Sequence, residues 1–204
     1  MDDDFTLLSA WRSGDAAAGR QLVERHFGAV YRFFANKVAG EVDDLIQETF
    51  LACVEGLERF RGAATFRTYL FAVARNKLYR YWRDRKPAAT PDWSVSRLAD
   101  SQVAPADALA KGQEQRLLLQ TLRMLPLDLQ VLIELSYFES LTDREVAAII
   151  EVPVGTIKSR LRKGRQLLYA HMAATADASL AASTQRGFDG WCASIRRHMG
   201  REGG

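Results

Sequence analysis

From Leu141 to Leu168 the chain reads LTDREVAAIIEVPVGTIKSRLRKGRQLL, two helices around a tight turn with the second densely basic. Thr142 is an N-cap residue, and Glu145 three positions later completes a capping box. Val146, Ile149 and Ile150 give the first helix its apolar side. Pro153 lacks an N–H donor, so it stops that helix or opens the next. Ile157, Leu161 and Leu168 form the buried side of the second helix, and Lys158, Ser159, Arg162, Lys163 and Arg165 fall largely opposite. Five basic residues and no acid lie between Gly155 and Arg165. This is the pattern of a helix-turn-helix whose second helix enters a major groove. The blander alternative is a solvated basic helix on an ordinary bundle.

The charge of the rest of the chain is segregated. Glu41 to Glu58 holds six acids and no base, whereas Arg75 to Lys86 holds six bases and one acid. A net charge of +3 over 204 residues says little, but this segregation implies one surface for a polyanion and another for a different partner. The two cysteines, Cys53 and Cys192, have neither metal-ligand nor disulfide-framework spacing, and no cofactor or metal is expected. The acidic start MDDDFTLL lacks a leader's charge pattern, and no apolar run approaches the ~18 residues of a membrane span. A reducing cytoplasm is the expected compartment.

Along the chain, Asp4 is expected to cap a short helix and Asp15 a longer one striped by Val23, Phe27, Val30, Phe34 and Val38. His26 beside that stripe reads as a packed or half-exposed histidine. Asp43 starts a further helix that buries Ile46, Phe50, Cys53, Leu57 and Phe60. Its other side shows Asp43, Asp44, Gln47, Glu48, Leu51 and Glu55. That side could be a solvated acidic face, a docking surface for a basic partner, or a metal site without histidine. After the loop Arg61-Gly62-Ala63-Ala64-Thr65, a long helix is apolar at first (Phe66, Tyr69, Leu70, Phe71, Val73). It then interleaves Arg75, Lys77, Arg80 and Arg83 with Tyr79, Tyr81 and Trp82. Cations attract phosphates and exposed rings stack on unpaired bases, although some of these rings must pack inward. The prolines, alanines and serines of residues 87–112 read as a linker, with Trp93 its one large ring. Helices resume near Gln113, with Leu118, Leu122 and Leu125 before Pro126. Asp128 is expected to cap the next, which buries Leu132, Leu135 and Phe138. Residues 173–204 form a tail expected to be mobile, in which Phe188, Trp191 and Ile195 mark one sticky helical side. The fold expectation is all-α: two small helical domains, 1–86 and 113–172, on a flexible linker, the second containing the helix-turn-helix.

Three stretches, in this order and at this spacing, resemble one family. VDDLIQETF (residues 42–50) is similar to the polymerase-docking motif of bacterial sigma-70-type factors. FRTYLFAVARNKLYRYW (residues 66–82) is similar to their promoter-melting and −10-reading helix. Residues 125–168, with PVGTIKSRL as the most telling run, resemble their −35-reading domain. With only these two domains and a short linker, the chain resembles the extracytoplasmic-function, or group IV, subfamily. Tyr69 stands where relatives usually carry Trp, and the tail has no counterpart in the minimal pattern. Some relatives use such extensions for regulation.

The resemblance implies a promoter-specificity subunit that is not itself an enzyme. Asp43, Asp44, Gln47, Glu48 and Leu51 would dock on the β′ clamp helices of core RNA polymerase, with the β-flap a second contact. Arg61, Gly62, Ala63, Ala64 and Thr65 would hold a flipped −10 base. Arg75, Asn76, Lys77, Arg80, Trp82 and Arg83 would melt and hold the partly single-stranded −10 element. Lys158, Ser159, Arg162 and Lys163 would enter the double-stranded −35 groove, with Thr156, Arg160 and Arg165 beside them. Factors of this kind are often held by an anti-sigma protein, an expected further partner. Two competing readings are a stand-alone helix-turn-helix regulator and a metal-dependent nuclease using Asp43, Asp44 and Glu48. The first leaves two helices idle, and the second has one helical face where convergent ligands are needed.

Overall fold

The computed structural model describes residues 3–38, 40–56, 64–85 and 112–192. Every regular element among them is helical. Arg61 to Ala63, the linker with Trp93, and Ile195 lie outside the described residues.

The N-terminal unit is α1 (Asp3–Arg12), α2 (Ala16–Ala35), α3 (Val42–Gly56) and α4 (Phe66–Arg85). Asp15 caps α2 as its position predicts, its carboxylate accepting from the N–H groups of Ala17 and Ala18 at 2.9 and 3.1 Å. Asp4 is not a cap. It lies inside α1, buried, and accepts from Arg25 and from His26 Nε2, the latter at 2.8 Å. Burial lowers the His26 pKa against the pull of Asp4, so the ring packs as a neutral group against Phe66. The expected stripe of α2 holds in part. Val30, Phe34 and Val38 are fully buried and Val23 is half-buried, but Phe27 is exposed. Leu22, His26, Phe33 and Lys37 also face the interior, and His26 takes the inward place that apolar counting gives to Phe27. Leu8, Phe50, Cys53, Leu70, Phe71 and Leu78 complete this core; each such side chain contributes about 1.5–3 kcal/mol on burial.

The C-terminal unit is α5 (Gln113–Arg123), α6 (Leu127–Ile133), a π-helical turn (Glu134–Phe138), α7 (Asp143–Ile150), α8 (Val154–Thr175) and α9 (Ala178–Arg186). The capping box is present in full: Thr142 Oγ1 accepts from Glu145 N–H, and Glu145 accepts from Thr142 N–H at 2.9 Å. Pro126, not Asp128, stands at the cap of α6. Glu151, in the left-handed region at φ 58°, closes α7, and Pro153 opens α8. Gly164 allows α8 to press on α6: a Cβ there would lie 3.0 Å from Ile133 Cδ1. The helical cost of this glycine is offset by that close approach. The tail is not a loose end within the described residues, since α9 packs on α5 and α8.

The π-turn settles how the two units meet. In an α-helix, residues five apart point about 140° away from each other, from 100° per residue. Here Glu139 N–H bonds to Glu134 C=O at 3.0 Å, an i→i+5 closure, and both carboxylates face the N-terminal unit. Glu139 takes Arg32 Nε at 3.0 Å and Arg67 Nη2 at 2.5 Å. Glu134 takes Lys37, with side chains 3% and 0% exposed respectively. Asn36 bridges Glu134 at 3.4 Å and Arg123 at 2.8 Å. Desolvation lowers the Lys37 pKa, with Glu134 opposing it. Along the same contact α4 lies against α7.

Candidate nucleic-acid and protein interfaces

On α8, Ile157 and Leu168 point inward, so helical periodicity leaves Lys158, Ser159, Arg162 and Lys163 exposed; Thr156 and Arg160 are half-covered. Ser159 Oγ donates to Thr156 C=O at 2.9 Å, a local bond it can exchange for a base edge. Among the described residues, none of Lys158, Arg160, Arg162 and Lys163 makes an ion pair. An open groove of about 450 Å³ runs beside Lys158, Arg162 and Arg165 and is walled by Tyr137 and Tyr169. Both tyrosines were missed in the sequence. Tyr137 sits on the π-turn, whose period a helical stripe does not reveal.

On α3, Leu45, Ile46, Thr49, Phe50 and Cys53 are buried, and burial pushes the Cys53 thiol up to about 12. Asp43, Asp44, Gln47 and Glu48 therefore share the outer side with Leu51, which is 48% exposed. Leu51 is thus an apolar side chain surrounded by acids on the exposed side of α3. Among the described residues, no cluster of His, Cys, Asp or Glu could hold a metal ion.

On α4 the expected residues divide. Thr65 is exposed and caps the helix, its Oγ1 accepting from Thr68 N–H at 3.2 Å; Ala64 beside it is half-buried. Asn76, Arg80 and Arg83 are exposed, the two arginines lying 3.5 and 3.8 Å from Asp84. Lys77 pairs with Glu48 of α3 at 3.1 Å, so residues expected to serve DNA and polymerase contact each other. Arg75 stacks on Tyr79 at 4.7 Å and lies 3.6 Å from Glu151 of the C-terminal unit. The Tyr79 hydroxyl donates to Asp128, and burial and that carboxylate raise its pKa. Trp82 is corrected: it is only 9% exposed. The inward stripe Phe71, Ala74, Leu78, Trp82 runs at spacings of three, four and four and ends on this ring, which is core rather than a stacking platform. Tyr81 is the half-exposed ring beside it, edge-on at 5.4 Å and covered by Arg85.

The family described as Sigma-70 region 2 matches residues 22–87, and that described as Sigma-70, region 4 matches residues 115–168. The ECF RNA polymerase sigma-E factor of Escherichia coli is 30% identical over 175 residues, covering 81% of this chain and 92% of that protein. Its Haemophilus influenzae counterpart is 27% identical over 175 residues, covering 81% and 93%. Among solved structures, CnrH in complex with the cytosolic domain of CnrY matches with a TM-score of 0.65 and 25% identity, over 86% of this chain and all (100%) of that one. The Bartonella quintana sigma factor RpoE in complex with the anti-sigma factor NepR matches in fold, with a TM-score of 0.59 and 21% identity, over 77% and 98%. Two matched regions in the expected order, and relatives aligned along almost their whole length, place the helix-turn-helix and the acidic helix in one setting: the chain belongs to the extracytoplasmic-function RNA polymerase sigma factors.

Proposed function

We propose that this sigma factor divides its work between α3, which grips core polymerase, and α4 and α8, which hold the −10 and −35 elements. The observation that carries the reading is the sorting of exposed charge. Acids with Leu51 cover the outer side of α3, and the bases on the reading side of α8 make no ion pair among the described residues. Acids on α3 keep that face off DNA, since phosphates repel them. On α8, Lys158, Ser159, Arg162 and Lys163 read the −35 groove, and Thr156 and Arg160 touch phosphates. On α4, Asn76, Lys77, Arg80 and Arg83 face the melted −10 strand with Arg75. The loop ending at Ala64 and Thr65 takes the flipped base. The chain supplies no chemistry of its own and acts in the cytoplasm, where core polymerase is.

The described conformation cannot offer Arg75 to DNA while Glu151 and Asp128 cover it and Tyr79. Promoter engagement therefore separates the units. The solved relatives are held by CnrY and by the anti-sigma factor NepR, and an anti-sigma partner for this chain is part of the proposal.

Run-off transcription with purified core polymerase tests the division. The chain directs specific start points, whereas a stand-alone regulator does not initiate on bare core. Asp44→Arg abolishes core binding while leaving the fold intact; pull-down of polymerase at wild-type strength by this variant overturns the α3 assignment.

A further inference from the structure

The segment after α8 is anchored rather than appended. Asp177 caps α9 by accepting from the N–H groups of Ser179 and Leu180 at 2.9 Å each. Ala181, Thr184, Phe188 and Cys192, spaced three, four and four apart, are buried. Gly187 leaves room for the Trp191 indole, which a Cβ would meet at 2.3 Å. Phe188, 2% exposed, stands edge-on to Tyr137 at 4.9 Å and to Tyr169 at 6.1 Å. The Arg165 guanidinium lies 5.4 Å from its ring centre. Arg165 also donates to Tyr169 at 2.9 Å and to Tyr137 at 3.4 Å.

The company Arg165 keeps distinguishes it. Arg32, Arg67 and Arg75 are held by carboxylates, which orient a guanidinium and neutralise it together. Arg165 is held by neutral phenols and ring faces, so it is oriented with its charge intact. A guanidinium has five N–H donors, and the phenols engage two nitrogens, so donors remain. Lys158, Arg162 and Arg165 stand at i, i+4 and i+7, one stripe along α8 beside the groove they line. We propose that the C-terminal segment is part of the −35-reading unit and that its Phe188 is a positioning residue, fixing Arg165 as a preformed phosphate contact at the end of that stripe. The proposal rests on the promoter-reading role of α8. Without that wall the long side chain is free to swing off the stripe, and the phosphate contact is lost with its position.

The test is the salt dependence of promoter binding by holoenzyme assembled from core polymerase and the full chain. Each phosphate contact contributes about 0.9 to the slope of log K against log salt. Arg165→Gln flattens the slope by about 0.9, so its deficit at 50 mM salt exceeds that at 200 mM by about 3.5-fold. Phe188→Ala gives the same flattening, the double variant gives no more, and Phe188→Leu, which keeps an apolar wall, restores the slope. Tyr169→Phe keeps the ring and removes one acceptor, and it flattens the slope in part even where Phe188→Ala fails to fold. An unchanged slope in Arg165→Gln or Tyr169→Phe, or a Phe188→Ala loss that is uniform across salt or adds to that of Arg165→Gln, overturns the proposal. Absence of promoter preference in the wild-type holoenzyme would instead remove the promoter-reading role beneath it.

Discussion

The helices α4 and α8 are both basic, yet their cations live differently. On α4, Arg67 meets Glu139, Arg75 meets Glu151, Lys77 meets Glu48 and Arg85 meets Glu41. On α8, Lys158, Arg162 and Lys163 have no ion-pair partner among the described residues, and Arg165 rests on phenols. A helix that reads duplex DNA can stand ready, because its target is always present in duplex form. A helix that holds a melted strand has no target until the duplex opens, and its cations are meanwhile engaged by carboxylates. On the proposed division of labour, phosphates displace those carboxylates, and promoter melting then includes an exchange of anions on α4 that −35 binding does not need.

The largest expected effect comes from removing the acid at the root of this difference. Glu139→Leu leaves Arg32 buried without its carboxylate and frees Arg67. Stranding a buried charge costs about 3–5 kcal/mol, read as a lower urea midpoint. A loss below about 1 kcal/mol would mean that Arg32 finds water or another partner and that the units are not tied through this residue.

That tie was illegible in the sequence, for a physical reason. Arg32, Lys37, Glu134 and Glu139 each look like solvated charges, and their meeting depends on a π-turn that no apolar periodicity signals. A polar inward position, His26, likewise misplaced Phe27 in the α2 stripe. By contrast most of the helix-turn-helix was legible, because a capping box, a proline and a 3.6-residue apolar period act locally; Leu161, expected inside, is half-buried. The acidic side of α3 was legible for the same reason. The interleaved rings of α4 fell between these cases. Spacing shows that some must turn inward, but only packing shows that Trp82 does and Tyr81 does so less.

A middle-sized effect sharpens the α8 side. Lys158→Ala lowers −35-dependent holoenzyme binding by about 1–3 kcal/mol if the lysine meets a guanine edge. Its stability stays within about 0.5 kcal/mol of wild type, because the side chain is exposed. Competition between promoters with and without a −35 element measures the first, and urea unfolding the second. A stability loss with unchanged −35 preference would give Lys158 the structural part that α4 cations play.

The smallest effect concerns the exposed pair Lys77–Glu48, where the two helices' habits should converge. The bond joins α3 to α4 at 3.1 Å, but the side chains are 23% and 56% exposed, and solvent screening leaves such pairs about 0.2–1 kcal/mol. A double-mutant cycle of Lys77→Ala and Glu48→Ala, followed by urea unfolding, isolates the coupling from each residue's own packing. A value in that range means that Lys77 can leave Glu48 for a phosphate, and that Glu48 can turn to polymerase, at little cost to the fold. A coupling above about 2 kcal/mol would mark the pair as structural. Lys77 and Glu48 would then leave their assigned surfaces together, and the anion exchange on α4 would rest on Arg75 and the residues beyond it.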